Sequence, residues 1–250
     1  MIRGMSFLTD LTLRRREPEL MDDPALDARQ HFAALRGLER INRWSGSVRI
    51  VWSAIAALPP GPGAHPLRVL DVATGAGDVP IGLCVRAAQA GRMLQIDAAD
   101  VSPTALEFAR QRAARAGVPA VAAGAGVGVR FLTLDALHDA LPDGYDVITS
   151  SLFLHHLAGE DAATLLAKMA AARPRLIVVN DLLRDWLGYA LAFLGPRVLT
   201  RCRVVHVDAV RSVRAAFTMQ EVRNLAGQAG LRNFVLQHRW PRRFLLTWQP

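Results

Sequence analysis

The sequence predicts an α/β fold in which a mostly parallel sheet carries helices on both faces. Three observations predict it. Short apolar runs, "LRVLDVA", "MLQIDAAD", "VRFLTLD", "YDVITSS" and "RLIVVND", recur along the chain. They are apolar on both alternations, as strands covered on both faces require. Segments of helical spacing lie between them, which implies parallel pairing through right-handed crossovers. The length, 250 residues of which 51% are hydrophobic, is enough for one sizeable core.

Each element follows from local chemistry. Residues 1–23, with "RRREPEL", read as a loosely held polar arm. From Asp23-Pro24 to Trp44, Phe32, Leu35, Leu38 and Ile41 recur every third residue and build one helical stripe. A second helix covers about 47–58, and "PPGPGAHP" (59–66) stops it, because Pro and Gly cannot continue a helix. Residues 1–65 thus read as an arm and helical cap, and 66–250 as the main domain.

Within the main domain a strand over 67–73 leads into a helix over about 79–90, and the next strand covers 93–100. Ser102 caps a helix running to about 116, with Pro103 in its first turn, where a missing N–H costs nothing. "AGVPAVAAGAGVGV" (116–129) is a loop of small residues. Strands follow at 129–135, 145–151 and 175–181, with a helix over about 161–172 before the last. "DWLGYALAFLGPRVL" (185–199) presents Trp186, Leu187, Tyr189, Leu191, Phe193 and Leu194, and the arginine-rich "RVVHVDAVRSVRAAFT" reads as a loop. Residues 183–217 together read as a lid. Thr218, with Glu221 three residues on, caps a helix to about 229 that Gly230 ends. "FVLQHRW" and "RFLLTWQ" close the sheet as an antiparallel pair about Pro241, which makes seven strands.

The net charge is +8 and the pI about 10.9. Lys168 is the only lysine, so 29 of the 30 basic residues are arginine, the mark of a base-composition bias. Residues 201–250 hold nine arginines against Asp208 and Glu221. No aromatic-rich basic face for stacking bases is evident, so no nucleic-acid partner is expected. An anionic substrate or weak association with a membrane surface fits this charge, as does a solvated arginine face. Cys84 and Cys202 form no ligand cluster, so no metal is expected and a reducing, cytoplasmic setting fits. The N-terminus has no apolar core of a signal peptide, and the most apolar window, "WLGYALAFLG", is too short to span a bilayer.

In α/β sheets ligands bind at the carboxyl ends of strands. Gly75 and Gly77 follow the first strand, where the absence of Cβ permits a sharp turn and close approach to a ligand. A dinucleotide turn would read G-x-G-x-x-G. Here the third glycine position holds Pro80, and Asp78 stands at the helix start, where a phosphate would be repelled. A positive ligand without phosphate fits better. Asp100 ends the second strand, placed to accept from both hydroxyls of a ribose. Asp97 competes but lies inside the strand, and Asp100 has the alternative of a plain turn cap.

"VLDVATGAGD", "AADVSPTALEFAR", "VRFLTLDALHDALPDGYDVITSSLFLHHL" and "FTMQEVRNLAGQAGL", in this order, resemble the class I S-adenosylmethionine-dependent methyltransferases. The resemblance covers about residues 66–250 and is greatest to the ubiquinone/menaquinone-type and related small-molecule enzymes. It implies a Rossmann-like seven-stranded sheet with an antiparallel final strand. It further implies that S-adenosylmethionine is bound and S-adenosylhomocysteine released. By the same resemblance Asp71, Ala73, Thr74, Gly75 and Gly77 form the first motif, its backbone facing the methionine part. Asp100 would hold the ribose, with Val101 against the adenine; Asp135 would accept from the adenine amino group, with Ala136 beside it, and Ser151 would lie near the methionine end. Ala76 departs from a threonine often found there.

Methyl transfer needs alignment of the acceptor and, for a neutral acceptor, a base. His155 and His156 follow the fourth strand. Adjacent helical residues face apart, so one of them, His155 by its nearness to the strand, is expected to aim at the acceptor. Packing is the other reading for both. His206 with Asp208 is a candidate base and orienter on the lid, or a surface pair. Asn180 and Asp181 either touch substrate or cap the next helix, and His31, His65, His138 and His238 read as structural. Arg40, Arg43 and Trp44 on the cap suit an anionic acceptor. The apolar 185–199 segment points to a hydrophobic aromatic acceptor, a phenol, quinone or polyketide-derived ring, for O- or C-methylation. An RNA or protein methyltransferase, an NAD-dependent oxidoreductase and a binding module without turnover are the rival readings.

Overall fold

The structure is a computed structural model that describes residues 10–22, 25–59, 65–121 and 126–250. The expected helix start at Asp23-Pro24, the Pro/Gly stretch over 60–64 and the small residues at 122–125 lie outside the described residues. In chain order the elements are α1 (Ala28–Ser45), α2 (Ser47–Ala57), β1 (Leu67–Val72), α3 (Asp78–Gln89), β2 (Leu94–Asp100) and α4 (Pro103–Arg115). There follow β3 (Val127–Thr133), β4 (Val147–Ser151), α5 (Gly159–Ala171), β5 (Leu176–Leu182), α6 (Trp186–Leu199) and α7 (Arg203–Ala215). The chain closes with α8 (Met219–Gln228), β6 (Val235–Arg239) and β7 (Arg243–Trp248).

The seven strands lie in the order β3-β2-β1-β4-β5-β7-β6, Rossmann-like as expected. β1 to β5 pair in parallel, and β7 runs antiparallel to both β5 and β6. The strand alternation feeds two core layers. Leu70, Ile148, Ile177 and Phe244 pack against Leu165, Leu166 and Met169 of α5 and Val222 of α8. Val69, Val147, Val178 and Leu245 face the other way, against Ile50, Val51 and Ile55 of α2 and Leu83 of α3. The cap is therefore continuous with the core of the sheet through α2.

Capping matches the sequence chemistry. Ser102 accepts from the Ala105 amide with Pro103 at the first position of α4, and Thr218 and Glu221 form a reciprocal box at α8. Two expectations are corrected. Residues 203–215 are helix rather than loop, because Val204, Val205, Asp208, Ser212 and Val213 make one buried helical stripe. Residues 10–22 are pinned rather than loose. Arg14 donates to the carbonyls of His155, Leu157 and Ala215, and its guanidinium lies 3.7 Å from the centre of the Phe217 ring. Arg184 donates to the Leu11 carbonyl, and Asp208 accepts the amides of Leu20 and Met21. No helix among the described residues is long and apolar enough to cross a membrane.

α2 and α3 touch so closely that a Cβ on Gly82 would lie 2.5 Å from Val48 Cγ2. Overpacking of this kind costs about 1–3 kcal/mol and outweighs the ~1 kcal/mol that alanine gains over glycine within a helix. Gly82→Ala should therefore lower stability by about 1–2 kcal/mol, read from the midpoint of denaturant unfolding.

Candidate active site

The carboxyl ends of β1, β2, β4 and β5 open into a cavity of about 690 Å³, roofed by α1 and α6. The volume is in the range of small-molecule sites, about 300–1,000 Å³. α6 contributes Gly188, Leu191, Ala192, Gly195, Pro196 and Leu199, one stripe at helical spacing. Of the six large residues expected to wall the site from this helix, only Leu191 does so; Trp186, Leu187 and Leu194 face solvent. Helical periodicity leaves the two sets on opposite faces.

One end of the cavity is built by the turn after β1. Ala73 takes φ 55°, the left-handed conformation that glycine normally serves, and Gly75 and Gly77 take φ 53° and 75°. A Cβ on Gly77 would lie 3.0 Å from that of Ala109, so the turn also packs tightly on α4. Asp100 fixes the turn, with Oδ2 accepting from the Gly75 amide at 2.7 Å and Oδ1 from the Ser102 amide at 2.9 Å. It is thus a turn cap and also lines the cavity, with lone pairs to spare. Asp71 accepts from the hydroxyls of Thr74 and Thr149. Burial pushes its carboxyl up to about 7, against those two hydrogen bonds. Asp78 is held by Arg112 and by Asn42 of α1, so the start of α3 already carries its anion.

Val101, Ala136 and Ser151 also line the cavity, and Ser151 Oγ has no partner among the described residues. Asp135 lines it too, while accepting from the amides of Leu137 and His138 and lying 2.8 Å from His138 Nδ1. His138, expected to lack a partner, has this one. Asp97 lies inside β2 between Arg130 and the Tyr145 hydroxyl, away from the cavity.

The other end is built on a tight turn over Leu154–His156 that follows β4. The expectation that the two histidines face apart fails. The turn is 3-10, not α, and the rings lie 4.2 Å apart, both on the cavity wall. His155 is buried, its Nδ1 2.7 Å from Asp181 Oδ1 and its Nε2 3.8 Å from Glu19 Oε1. Burial alone would lower its pKa, but Asp181 and Glu19 overcome this and raise it to about 9. Burial and the neighbouring His155 charge push His156 down to about 4. At neutral pH His155 is therefore charged and His156 neutral. Nearness to the strand gives His155 no advantage as a proton acceptor.

His206 lies in α7, outside the cavity lining, with Nε2 2.8 Å from the Thr200 carbonyl at the end of α6. Asp208 does not orient it, being occupied by the Leu20 and Met21 amides. Asp181 serves His155, and Asp185 caps α6 in its place. Asn180 is fully buried and its amide has no partner among the described residues. Trp44 lines the cavity; Arg40 and Arg43 do not.

Sequence reasoning missed Glu19, Arg14 and Arg243. Nothing local marks the first two, which act on residues far along the chain. Arg243 had a signal, since it shares the buried alternation of β7 with Leu245. It is 2% exposed on the cavity wall. Its Nη atoms donate to Ser45 and Ser47, its Nε has no partner among the described residues, and burial pushes it down to about 10. No carboxylate pairs with it among the described residues, and an unpaired buried charge is costly.

A family model described as a methyltransferase domain matches residues 69–173. A demethylmenaquinone methyltransferase from Thermus thermophilus is 35% identical over 117 residues, which cover 46% of this chain and 47% of that one. A release factor glutamine methyltransferase from Chlorobaculum tepidum is 30% identical over 154 residues, 58% of this chain and 48% of that one. The matches thus span about half the length of these relatives. The solved O-methyltransferase family 2 protein from Planctomyces limnophilus, in complex with apigenin, has the same fold, with a TM-score of 0.61 and 19% identity over 91% of this chain and 63% of that one.

The His155–Asp181 pair has a pH signature. His155 has a folded pKa of about 9, above its usual 6.5, so its contribution to stability is complete below pH 6.5 and is lost as pH rises through 9. Removing one member of a buried pair costs about 3–5 kcal/mol. His155→Gln should be destabilised by about that much at pH 7, and the gap to wild type in denaturant unfolding should narrow above pH 9.

Proposed function

We propose that this chain, which carries a class I S-adenosylmethionine-dependent methyltransferase domain, methylates a hydrophobic aromatic small molecule such as a phenol or quinone. The observation that carries the proposal is a single cavity with two unlike ends. A glycine turn and the carboxylates of Asp71 and Asp100 stand at one, and a histidine pair under an apolar roof at the other. In this reading residues 66–250 are the catalytic domain, 183–217 its lid, and 1–65 an arm and cap. The relatives' names fit such acceptors: one is named for a quinone, and another was solved with apigenin, itself a phenol.

Bound S-adenosylmethionine would supply an electrophilic methyl group and be released as S-adenosylhomocysteine. Asp100 is assigned to the ribose hydroxyls, Val101 and Ala136 to the adenine faces and Asp135 to its amino group. The backbone from Ala73 to Gly77 and the free hydroxyl of Ser151 are assigned to the methionine part. Asp71, whose carboxyl burial pushes up, suits a positively charged ligand, which would favour its charged form. Arg243 with Ser45 and Ser47 is assigned to the methionine carboxylate, the anion its buried guanidinium lacks. For a neutral phenol, His156 is the group able to accept the hydroxyl proton, and the positive charge on His155 favours the phenolate that forms. A ring fits the apolar roof better than a polar glutamine or a nucleic acid does.

S-adenosylhomocysteine should raise the melting temperature and NADH should not, since only a ligand of the folded state stabilises it; the opposite pattern would replace this reading with an oxidoreductase. Asp100→Ala and Arg243→Met should each weaken S-adenosylhomocysteine about tenfold or more, as loss of a charge-assisted hydrogen bond predicts, in calorimetric titration. His156→Ala should lower transfer of labelled methyl to phenols by about 10²–10⁴-fold, with less effect on phenols already ionised and no change in cofactor affinity.

A further inference from the structure

α6 is apolar on both sides. One face roofs the cavity, and the other presents Leu187, Leu194 and Val198 to solvent, at 52%, 59% and 85% exposure. A helix apolar all round is ordinarily buried all round, and a contiguous exposed apolar face marks an interaction site. Beside it lies a row of positive charge. Arg36 and Arg40 of α1 line a shallow groove with Arg197 and Arg201 at the far end of α6. Arg36, Arg40 and Arg201 have no carboxylate partner among the described residues, while Arg197 lies flat on Phe193. Trp44, near the end of α1, and Trp240, two residues before the Arg242 that holds Asp185 at the start of α6, meet edge to face, both about half exposed. Trp44 also lines the cavity wall.

We infer that the outer face of α6, with the arginines of α1, docks on an anionic lipid bilayer surface. Apolar side chains on one helix face, flanking arginines and tryptophans at the margin are the chemistry of a helix lying in the interfacial plane. A second copy of the chain is a worse occupant. The residues named on this face include no carboxylate to meet the arginines of a second copy, whereas an anionic surface attracts every one. The inference rests on the proposed function for its purpose: an acceptor apolar enough for the cavity would be dissolved in lipid, and α6 and Trp44 stand between the two.

Flotation of the full chain with vesicles tests this without cofactor or acceptor, so it stands or falls separately from methyl transfer. Binding is expected to phosphatidylcholine vesicles containing phosphatidylglycerol, not to phosphatidylcholine alone, and to weaken with salt. Leu194→Asp with Val198→Asp, and Arg36→Glu with Arg40→Glu, should each cut partitioning about tenfold or more, since one arginine at an anionic surface is worth about fivefold. Both variants should unfold in denaturant in one cooperative transition with the wild-type slope, showing that they fold. The inference is overturned by any of three results: no binding to anionic vesicles at low salt, variants that bind like wild type, or a dimer in light scattering that Leu194→Asp dissolves.

Discussion

Everything at the site depends on one reversal in strand order. From β1 the chain crosses to β2 on one side and returns later to β4 on the other. Neighbouring crossovers therefore diverge from the carboxyl end of β1, and no helix of the parallel units covers it. The turn over Ala73–Gly77 faces this gap from β1, Asp100 from β2, and the histidine turn from β4. Elements outside the parallel units, α1, α6 and the N-terminal arm, are left to roof it. The sheet thus fixes where the glycine turn, Asp100 and the histidines meet, and the added elements close the cavity over them.

The two ends of the cavity are kept electrostatically distinct. At one, Asp71 and Asp100 face the turn, and Asp78 already satisfies the start of α3. At the other, Asp181 and Glu19 bracket His155 so that it stays charged, and burial together with that charge keeps His156 neutral. Two adjacent imidazoles are driven to opposite protonation states by burial and two carboxylates. One of those carboxylates comes from the arm, so the acid–base state of the site is set in part by a segment outside the sheet.

Much of this was legible in the sequence, and the limits are physical. β1, β2, β4 and β5 came through because burial on both faces forces continuous apolar runs, and caps because Ser102, Thr218 and Glu221 act on amides within three residues. The glycine turn and Asp100 were legible because strand ends locate sites in this architecture. The histidine rings were misjudged because a 3-10 turn closes its residues more tightly than the α spacing assumed. α7 was missed because arginines interrupt its apolar stripe and because Asp208 and Ser212 are buried polar members of it. Glu19 and Arg14 left no local trace, since their partners stand far along the chain and only the fold brings them near. Arg243 did leave one, a charge on a buried alternation.

Arg14 reaches carbonyls 141, 143 and 201 residues away. Synthesis runs from the N-terminus, so the arm leaves the ribosome long before its anchorage exists. The glycine turn can form early, because β1 and β2 are sequential neighbours, but the histidine end cannot close until α7 has been made. Arg243, in the final strand, arrives later still. The cavity is therefore closed only once residues far apart along the chain have met.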